Sequence, residues 1–268
     1  MDATALASRA RQSRGREVLP ELLALAGDPA AGDDRWQAAA SAIELLLWTE
    51  RPGDAAELAE SVITAEADTA LAKQDFPFDT ALLAADLHAG IPAGPRLRRL
   101  AGLPPAGSVL ARRLDWLAGR LDGTGPAALL PNHHDWGGAP GALGPVGEAL
   151  RKQPYATLRP NQRRALWSAL ESANDIDAAR RLRGAGGDDP PSYPGRVWLA
   201  GWAVHDGDPA EAERLLLSAA PLWRPYASWD CLPTDLAVEP TLRRAVTPAV
   251  WDRYLSGPLG PEASEGEA

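Results

Sequence analysis

The sequence predicts an all-α protein built from antiparallel helical hairpins, and three observations lead to this prediction. Alanine and leucine dominate the 45% of apolar residues, whereas the chain of 268 residues has only two Phe and four Tyr. A composition low in β-branched and aromatic residues and rich in helix formers favours helix over sheet. Apolar residues also recur at helical spacing, as at Leu110, Leu114, Leu117 and Leu121. Finally, the pattern of a helical hairpin occurs twice, at residues 45–63 and 199–217.

The first part of the chain, residues 1–122, is predicted to contain five helices. Their ranges, from apolar periodicity, are 18–26, 34–50, 54–67, 79–88 and 108–121. Short polar side chains that accept a hydrogen bond from a free backbone N–H are expected at the helix N-termini. The predicted N-caps are Asp33 or Asp34, Asp54, Asp79 and Ser108.

Residues 123–145 interrupt this pattern, since 10 of these 23 residues are Gly or Pro. We interpret this segment as a long loop or linker. It separates the N-terminal helical part from a second one at residues 146–256. An acidic tail, 257–268, follows; it has little to bury and is predicted to be disordered. In the second part we expect helices at 146–153, 161–173, 177–183, 195–205, 209–219, 241–245 and 248–255.

The two hairpin copies share a Gly-Asp turn followed three residues later by a glutamate. This spacing predicts a capping box, in which the aspartate accepts from a backbone N–H and the glutamate bonds back to the cap. The two segments are Gly53-Asp54-Ala55-Ala56-Glu57 and Gly207-Asp208-Pro209-Ala210-Glu211.

The second copy resembles a tetratricopeptide (TPR) repeat. Leu199-Ala200 stands for the Leu-Gly pair of that family, and Ala212 with Leu216 stands for its Ala-x₃-Phe. Arg196 and Ala203 depart from it, because they stand where the family prefers Trp and Tyr.

The other copies are looser. The first has Leu58 and Val62 in place of Ala212 and Leu216, and a third, at 165–182, aligns Trp167 and Asp175 with Trp198 and Asp206. The resemblance covers about a quarter of the chain and implies a degenerate TPR-like α-solenoid with a concave surface for an extended partner.

The loop at 221–231 is the predicted partner-binding site. Trp, Tyr and Arg are enriched at binding hot spots, and two prolines limit the entropy lost on binding. The candidate residues are Trp223, Arg224, Tyr226 and Trp229. The alternative is that Trp223 and Trp229 cap the open end of the last hairpin. Cys231, the only cysteine, has no obvious base nearby in sequence.

A second cluster, His133, His134 and Asp135, combines imidazole and carboxylate groups that suit a transition metal or general acid–base catalysis. No recognised zinc spacing surrounds it, so the alternative is a turn whose polar side chains bond to its own backbone. A small-molecule or metal-dependent enzyme with a site under the 123–145 loop is therefore the second functional hypothesis. The first is a non-enzymatic scaffold that binds a protein or peptide.

Charge and composition exclude other classes. A net charge of −9 disfavours binding to nucleic acid, since the chain repels phosphate. Arginine doublets such as Arg163-Arg164 and Arg180-Arg181 fit solvated helix faces. No apolar run is long enough to span a membrane and no signal peptide is evident, so we expect a cytoplasmic protein without membrane contact. No cofactor is predicted, and the oligomeric state does not follow from the sequence.

Overall fold

A computed structural model describes residues 2–12, 15–65, 78–104, 106–124 and 140–259 of the chain. The described residues form helices and connecting turns, and they contain no β-strand beyond an isolated bridge between Gln12 and Pro258. The predicted all-α class is therefore confirmed. Residues 260–268 of the predicted tail lie outside the described residues.

The chain divides into two compact units that interleave along the sequence. The first comprises residues within Met1–His133, Pro225–Arg243 and Tyr254–Pro258; the second comprises those within His134–Arg224 and Arg244–Arg253, together with Leu259. Part of the predicted C-terminal half thus belongs to the unit that the N-terminal helices form.

The helices of the first unit are α1 (Ala3–Arg11), α2 (Gly15–Ala26), α3 (Asp34–Trp48), α4 (Pro52–Ala65), α5 (Phe78–Ala89), α6 (Ala93–Ala101), α7 (Val109–Thr124), α13 (Thr234–Val238) and α14 (Pro240–Arg243). Those of the second are α8 (Pro145–Arg151), α9 (Pro160–Ser172), α10 (Ile176–Gly184), α11 (Tyr193–His205) and α12 (Pro209–Ala219). The last helix, α15 (Pro248–Ser256), begins in the second unit and ends in the first.

Three helices that the sequence analysis left out are α1, α6 and α13. Helix α1 begins after Asp2, whose carboxylate accepts from the Ala5 N–H at 2.7 Å. In α6 the Ala93 N–H donates to Asp86 of the preceding helix at 3.0 Å. Helices α1 and α13 are short, so their apolar stripes have few positions and the periodic signal is weak. Helix α6 has a clear apolar stripe at Ala93, Leu97 and Leu100, which the prediction missed.

Helix α3 is the centre of the first unit. Every residue from Ala38 to Trp48 is buried, and the helix packs against α1, α2, α4, α5 and α13. A helix surrounded on all sides needs apolar or small side chains around its whole circumference, which explains its run of Ala and Leu. Glu44 is the one ionisable residue in this buried run.

Three hairpin turns, α3–α4, α9–α10 and α11–α12, share one backbone geometry. Three residues join the helices, and the middle one has positive φ: Glu50 at 58°, Asn174 at 52° and Gly207 at 80°. The next residue donates its N–H to a carbonyl five positions earlier, which closes the first helix in a Schellman motif. These bonds are Arg51 to Leu46 (2.9 Å), Asp175 to Leu170 (2.9 Å) and Asp208 to Ala203 (2.8 Å).

This geometry corrects the alignment of the copies. Glu50-Arg51-Pro52, and not Gly53-Asp54, is equivalent to Gly207-Asp208-Pro209. In the third copy Asp175 is equivalent to Asp208 and not to Asp206. The pattern was misaligned because a glutamate occupies a left-handed position at which glycine is usual.

The structure also contradicts the two predicted capping boxes and most of the predicted N-caps. Asp54 and Asp79 lie inside α4 and α5, and no side-chain cap bond is formed by Asp33. Ser108 does accept from the Ala111 N–H at 3.1 Å. Asp208 accepts from the Glu211 N–H at 3.1 Å, but its own N–H is bonded to Ala203, so the reciprocal bond is not made.

Candidate functional site

The residues predicted to bind a partner at 221–231 have different environments. Trp223, in the second unit, is buried, and Arg224 donates to the Pro221 and Trp223 carbonyls. In the first unit, Tyr226 is fully exposed, whereas Trp229 is partly buried and accepts from the Ser41 hydroxyl at 2.5 Å. Tyr226 is thus the aromatic residue of the set with a free surface, and the binding role of the four residues stays a prediction.

His133, His134 and Asp135 lie outside the described residues, as does most of the 123–145 loop, and their predicted role stays untested. Within the described ranges, no group of three or more His, Cys, Asp or Glu side chains could hold a metal ion.

A solvent-open groove among the described residues of the second unit is a candidate site. It has a volume of about 370 Å³ and is lined by Arg151 at the end of α8, Gln153 after it, Leu166 and Leu170 of α9, and Ala178, Arg181 and Leu182 of α10. Leu166 and Leu170 are four residues apart, so they share a helix face. Arg181 and Leu182 follow Ala178 by three and four residues, so both lie next to it on the surface of α10. Two helix faces therefore supply an apolar floor, and polar groups lie at its edge.

A close approach of α8 to α9 and the hydrogen bonds of Asn174 hold the helices around this groove in place. A Cβ on Gly147 of α8 would lie 2.7 Å from the Ala169 Cβ of α9, so only glycine permits this approach. At the α9–α10 turn, the Asn174 Oδ1 accepts from the indole N–H of Trp198 at 2.9 Å and from that of Trp202 at 3.0 Å. This turn is thereby bonded to α11.

The arginines of α10 differ in their partners. Arg180 pairs with Asp206 and lies over the Trp202 ring at 5.9 Å. Arg183 contacts Asp189 at 3.1 Å and Glu211 at 2.5 Å. The Arg181 side chain makes no hydrogen bond or ion pair with any described residue, although it lines the groove.

An ion-pair cluster links α10 to α12, through Arg183 and Glu211. Arg214 contacts Asp189 and Glu211, each at 2.7 Å. The hydrogen bond from Arg214, followed by that from Arg183, lowers the pKa of Glu211 to about 2. These carboxylates are satisfied within the unit and serve its stability.

A buried polar cluster in the first unit holds residues 229–233 on α3. The Glu44 Oε2 accepts from the Cys231 N–H at 2.7 Å, the Leu232 N–H at 3.1 Å and the Cys231 thiol at 3.1 Å. The Trp48 indole N–H donates to the Pro233 carbonyl at 2.7 Å. Ser41, Glu44 and Trp48 thus use one face of α3 to satisfy the backbone of an irregular segment.

Burial makes this cluster unsuited to nucleophilic chemistry. It raises the pKa of the Glu44 carboxyl to about 8, and Asp230 acts in the same direction. Burial also raises the pKa of the Cys231 thiol, whose side chain is fully enclosed. A protonated and inaccessible thiol has a structural role here.

Sequence reasoning missed both regions. The sequence predicts Arg180-Arg181 on a solvated face, and nothing local distinguishes the arginine with an ion-pair partner from the one without. For the buried cluster, a signal did exist: Glu44 is a lone carboxylate among the eleven residues from Ala38 to Trp48, which are otherwise apolar or small. Such a residue requires a buried partner.

No helix in the described ranges is both long enough and apolar enough to span a membrane. Comparison with protein-family models finds no match, and comparisons with curated proteins and with solved structures find none either.

Proposed function

We propose that this protein is a non-enzymatic scaffold of helical hairpins, arranged as a degenerate TPR-like solenoid, which binds a protein or peptide partner. The groove formed by α8, α9 and α10 is the observation on which this function rests. It offers an apolar floor of Leu166, Leu170 and Leu182 to a side chain, with arginines at its edge. Helical grooves of this kind bind peptides by taking up apolar anchors.

The repeated turn geometry supports the solenoid part of the proposal. Three helix pairs that end and restart in the same way are expected of a repeat, even where the residues differ. The exposed ring of Tyr226 offers a further contact for a partner, as predicted for the 221–231 loop.

Affinity purification from extracts of the native host, followed by mass spectrometry, tests this function. The bait is compared with three variants: Arg181→Glu in the groove, Tyr226→Ala in the loop, and Arg164→Glu as a control. Arg164 is an exposed arginine of α9 that does not line the groove, so its reversal changes the charge equally.

We expect specific partners that Arg181→Glu loses and Arg164→Glu retains. Loss with Tyr226→Ala would add the loop to the interface. If the wild-type protein and Arg181→Glu recover the same partners, the groove is not the binding site. If the wild-type protein recovers no specific partner, the scaffold function is contradicted.

A further inference from the structure

The α8–α10 groove combines an apolar lining with the positive charge of Arg181, and this combination favours some peptides over others. We infer that it binds an acidic peptide segment in which a carboxylate side chain lies beside an aliphatic one. This inference rests on the proposed function and adds the class of partner.

Arg181 supplies the positive charge that a carboxylate of the peptide would meet. Its neighbours Arg180 and Arg183 are neutralised by Asp206, Asp189 and Glu211, whereas no described residue pairs with the Arg181 guanidinium. The guanidinium carries five N–H donors in a planar fork that matches a carboxylate with two parallel bonds. An exposed fork at the edge of an apolar floor is thus available to an incoming acid.

The acidic groups near the groove do not satisfy this charge. Asp175 accepts from the Ala178 N–H at 3.0 Å as the N-cap of α10, and it lies 3.8 Å from Arg151. Glu148 pairs with Arg151 at 3.0 Å. Arg151 is therefore already compensated, and Arg181 is the lining arginine for which the described residues supply no ion-pair partner.

The apolar residues of the groove would bind the aliphatic side chain of the peptide. Four apolar residues line the groove, and a volume of about 370 Å³ lies near the lower end of the range for ligand pockets. This space accommodates one or two aliphatic side chains, and the open geometry lets a peptide continue on either side. A leucine or isoleucine in the groove would place an adjacent glutamate or aspartate at Arg181.

Fluorescence anisotropy with defined peptides tests the inference on the full chain. The probe is a fluorescein-labelled, end-capped peptide in which glutamates flank two leucines. Matched peptides carry glutamine or lysine for glutamate, or serine for leucine. The variants are Arg181→Gln and the control Arg164→Gln, each checked for helix content and melting temperature by circular dichroism.

We expect the glutamate–leucine peptide to bind, and all three replacements in the peptide to weaken it. Loss of a charge-assisted hydrogen bond by Arg181→Gln should raise the dissociation constant about tenfold. Arg164→Gln should leave it unchanged, and added salt should weaken the wild type more than Arg181→Gln.

Several results would overturn the inference. Equal binding of the glutamine peptide would exclude carboxylate recognition while leaving a peptide-binding scaffold intact. Equal loss with Arg164→Gln would show a general effect of charge. Full displacement by octanoate at the same concentration as unlabelled peptide would assign the groove to small carboxylic acids. If no peptide binds, the inference fails, and the purification experiment judges the scaffold separately.

Discussion

Glu44 is a buried carboxyl group on the central helix of the first unit. Removing a carboxylate from water is costly, and its cost falls when the group is protonated or receives hydrogen bonds. Glu44 has both: three donors from Cys231 and Leu232, and a pKa raised by burial to about 8. In return, two backbone N–H groups of a non-helical segment are satisfied inside the core.

The single cysteine offers a direct test of this cluster. We expect the Cys231 thiol to be unreactive towards N-ethylmaleimide in the native protein, because it is fully buried and its pKa is raised. Glu44→Ala leaves two buried N–H groups without an acceptor, at about 1–3 kcal/mol each, and should speed labelling at least about tenfold.

Glu57→Ala is the matched control, since Glu57 is exposed on the neighbouring helix α4. Labelling rates are measured by mass spectrometry. Native wild-type protein that reacts as fast as the chain in concentrated urea would contradict the buried placement of Cys231.

At the scale of elements, the hairpin turn is the unit that recurs. Its positive φ is supplied by glycine at Gly207, but by other residues at Glu50 and Asn174. Asparagine tolerates this conformation because its short side chain bonds locally or to neighbours. In the α9–α10 turn, that side chain bonds to the indole groups of Trp198 and Trp202.

Two substitutions at Asn174 separate its backbone role from its side-chain role. Asn174→Gly keeps the φ but removes the acceptor for two largely buried indole N–H groups, so we expect it to lower the free energy of unfolding by about 2 kcal/mol. Asn174→Ala adds the strain of a left-handed alanine, about 1 kcal/mol more.

Urea unfolding followed by tryptophan fluorescence measures both. Ser168→Ala, on the exposed face of α9, is the control. If both Asn174 variants unfold at the wild-type midpoint, the turn does not depend on this side chain.

At the scale of the whole molecule, carboxyl groups with opposite pKa shifts define the pH of greatest stability. Glu44 and Glu171 are raised by burial from 4.5 to about 8 and about 7. They take up protons on folding, so their contribution is complete below pH 4.5 and is lost as pH rises through these values. Glu211 is lowered from 4.5 to about 2, so its contribution is complete above 4.5 and is lost as pH falls.

We therefore expect the free energy of unfolding to be greatest at about pH 5. Between about pH 5 and 8, Glu44 alone gives a slope of up to about 1.4 kcal/mol per pH unit. Asp230, which faces Glu44, has a pKa raised by burial and acts in the same direction.

Urea denaturation over this pH range measures the effect. Glu44→Gln should flatten the alkaline side, and Arg214→Gln, which removes a partner of Glu211, should flatten the acid side. Wild-type stability that rises from about pH 5 to 8 would contradict the buried, protonated state of Glu44.

The sequence by itself determined the helical class and the position of most helices. Apolar periodicity, capping residues and glycine- or proline-containing turns are local signals, and each acts within a few residues along the chain. This is why the sequence predicted helices close to α3, α9, α11 and α12. The repeat of helix pairs could also be recognised, although its register could not, because a glutamate stands at the positive-φ position of the first turn.

Only the tertiary structure decided which polar residues meet and which stay free. Glu44 accepts a hydrogen bond from Cys231, which is 187 residues away along the chain. Asn174 accepts one from Trp202, which is 28 residues away. Arg181 differs from Arg180 and Arg183 only in what the fold places beside each side chain. Contacts of this kind depend on how helices pack, and no local pattern in the chain encodes them.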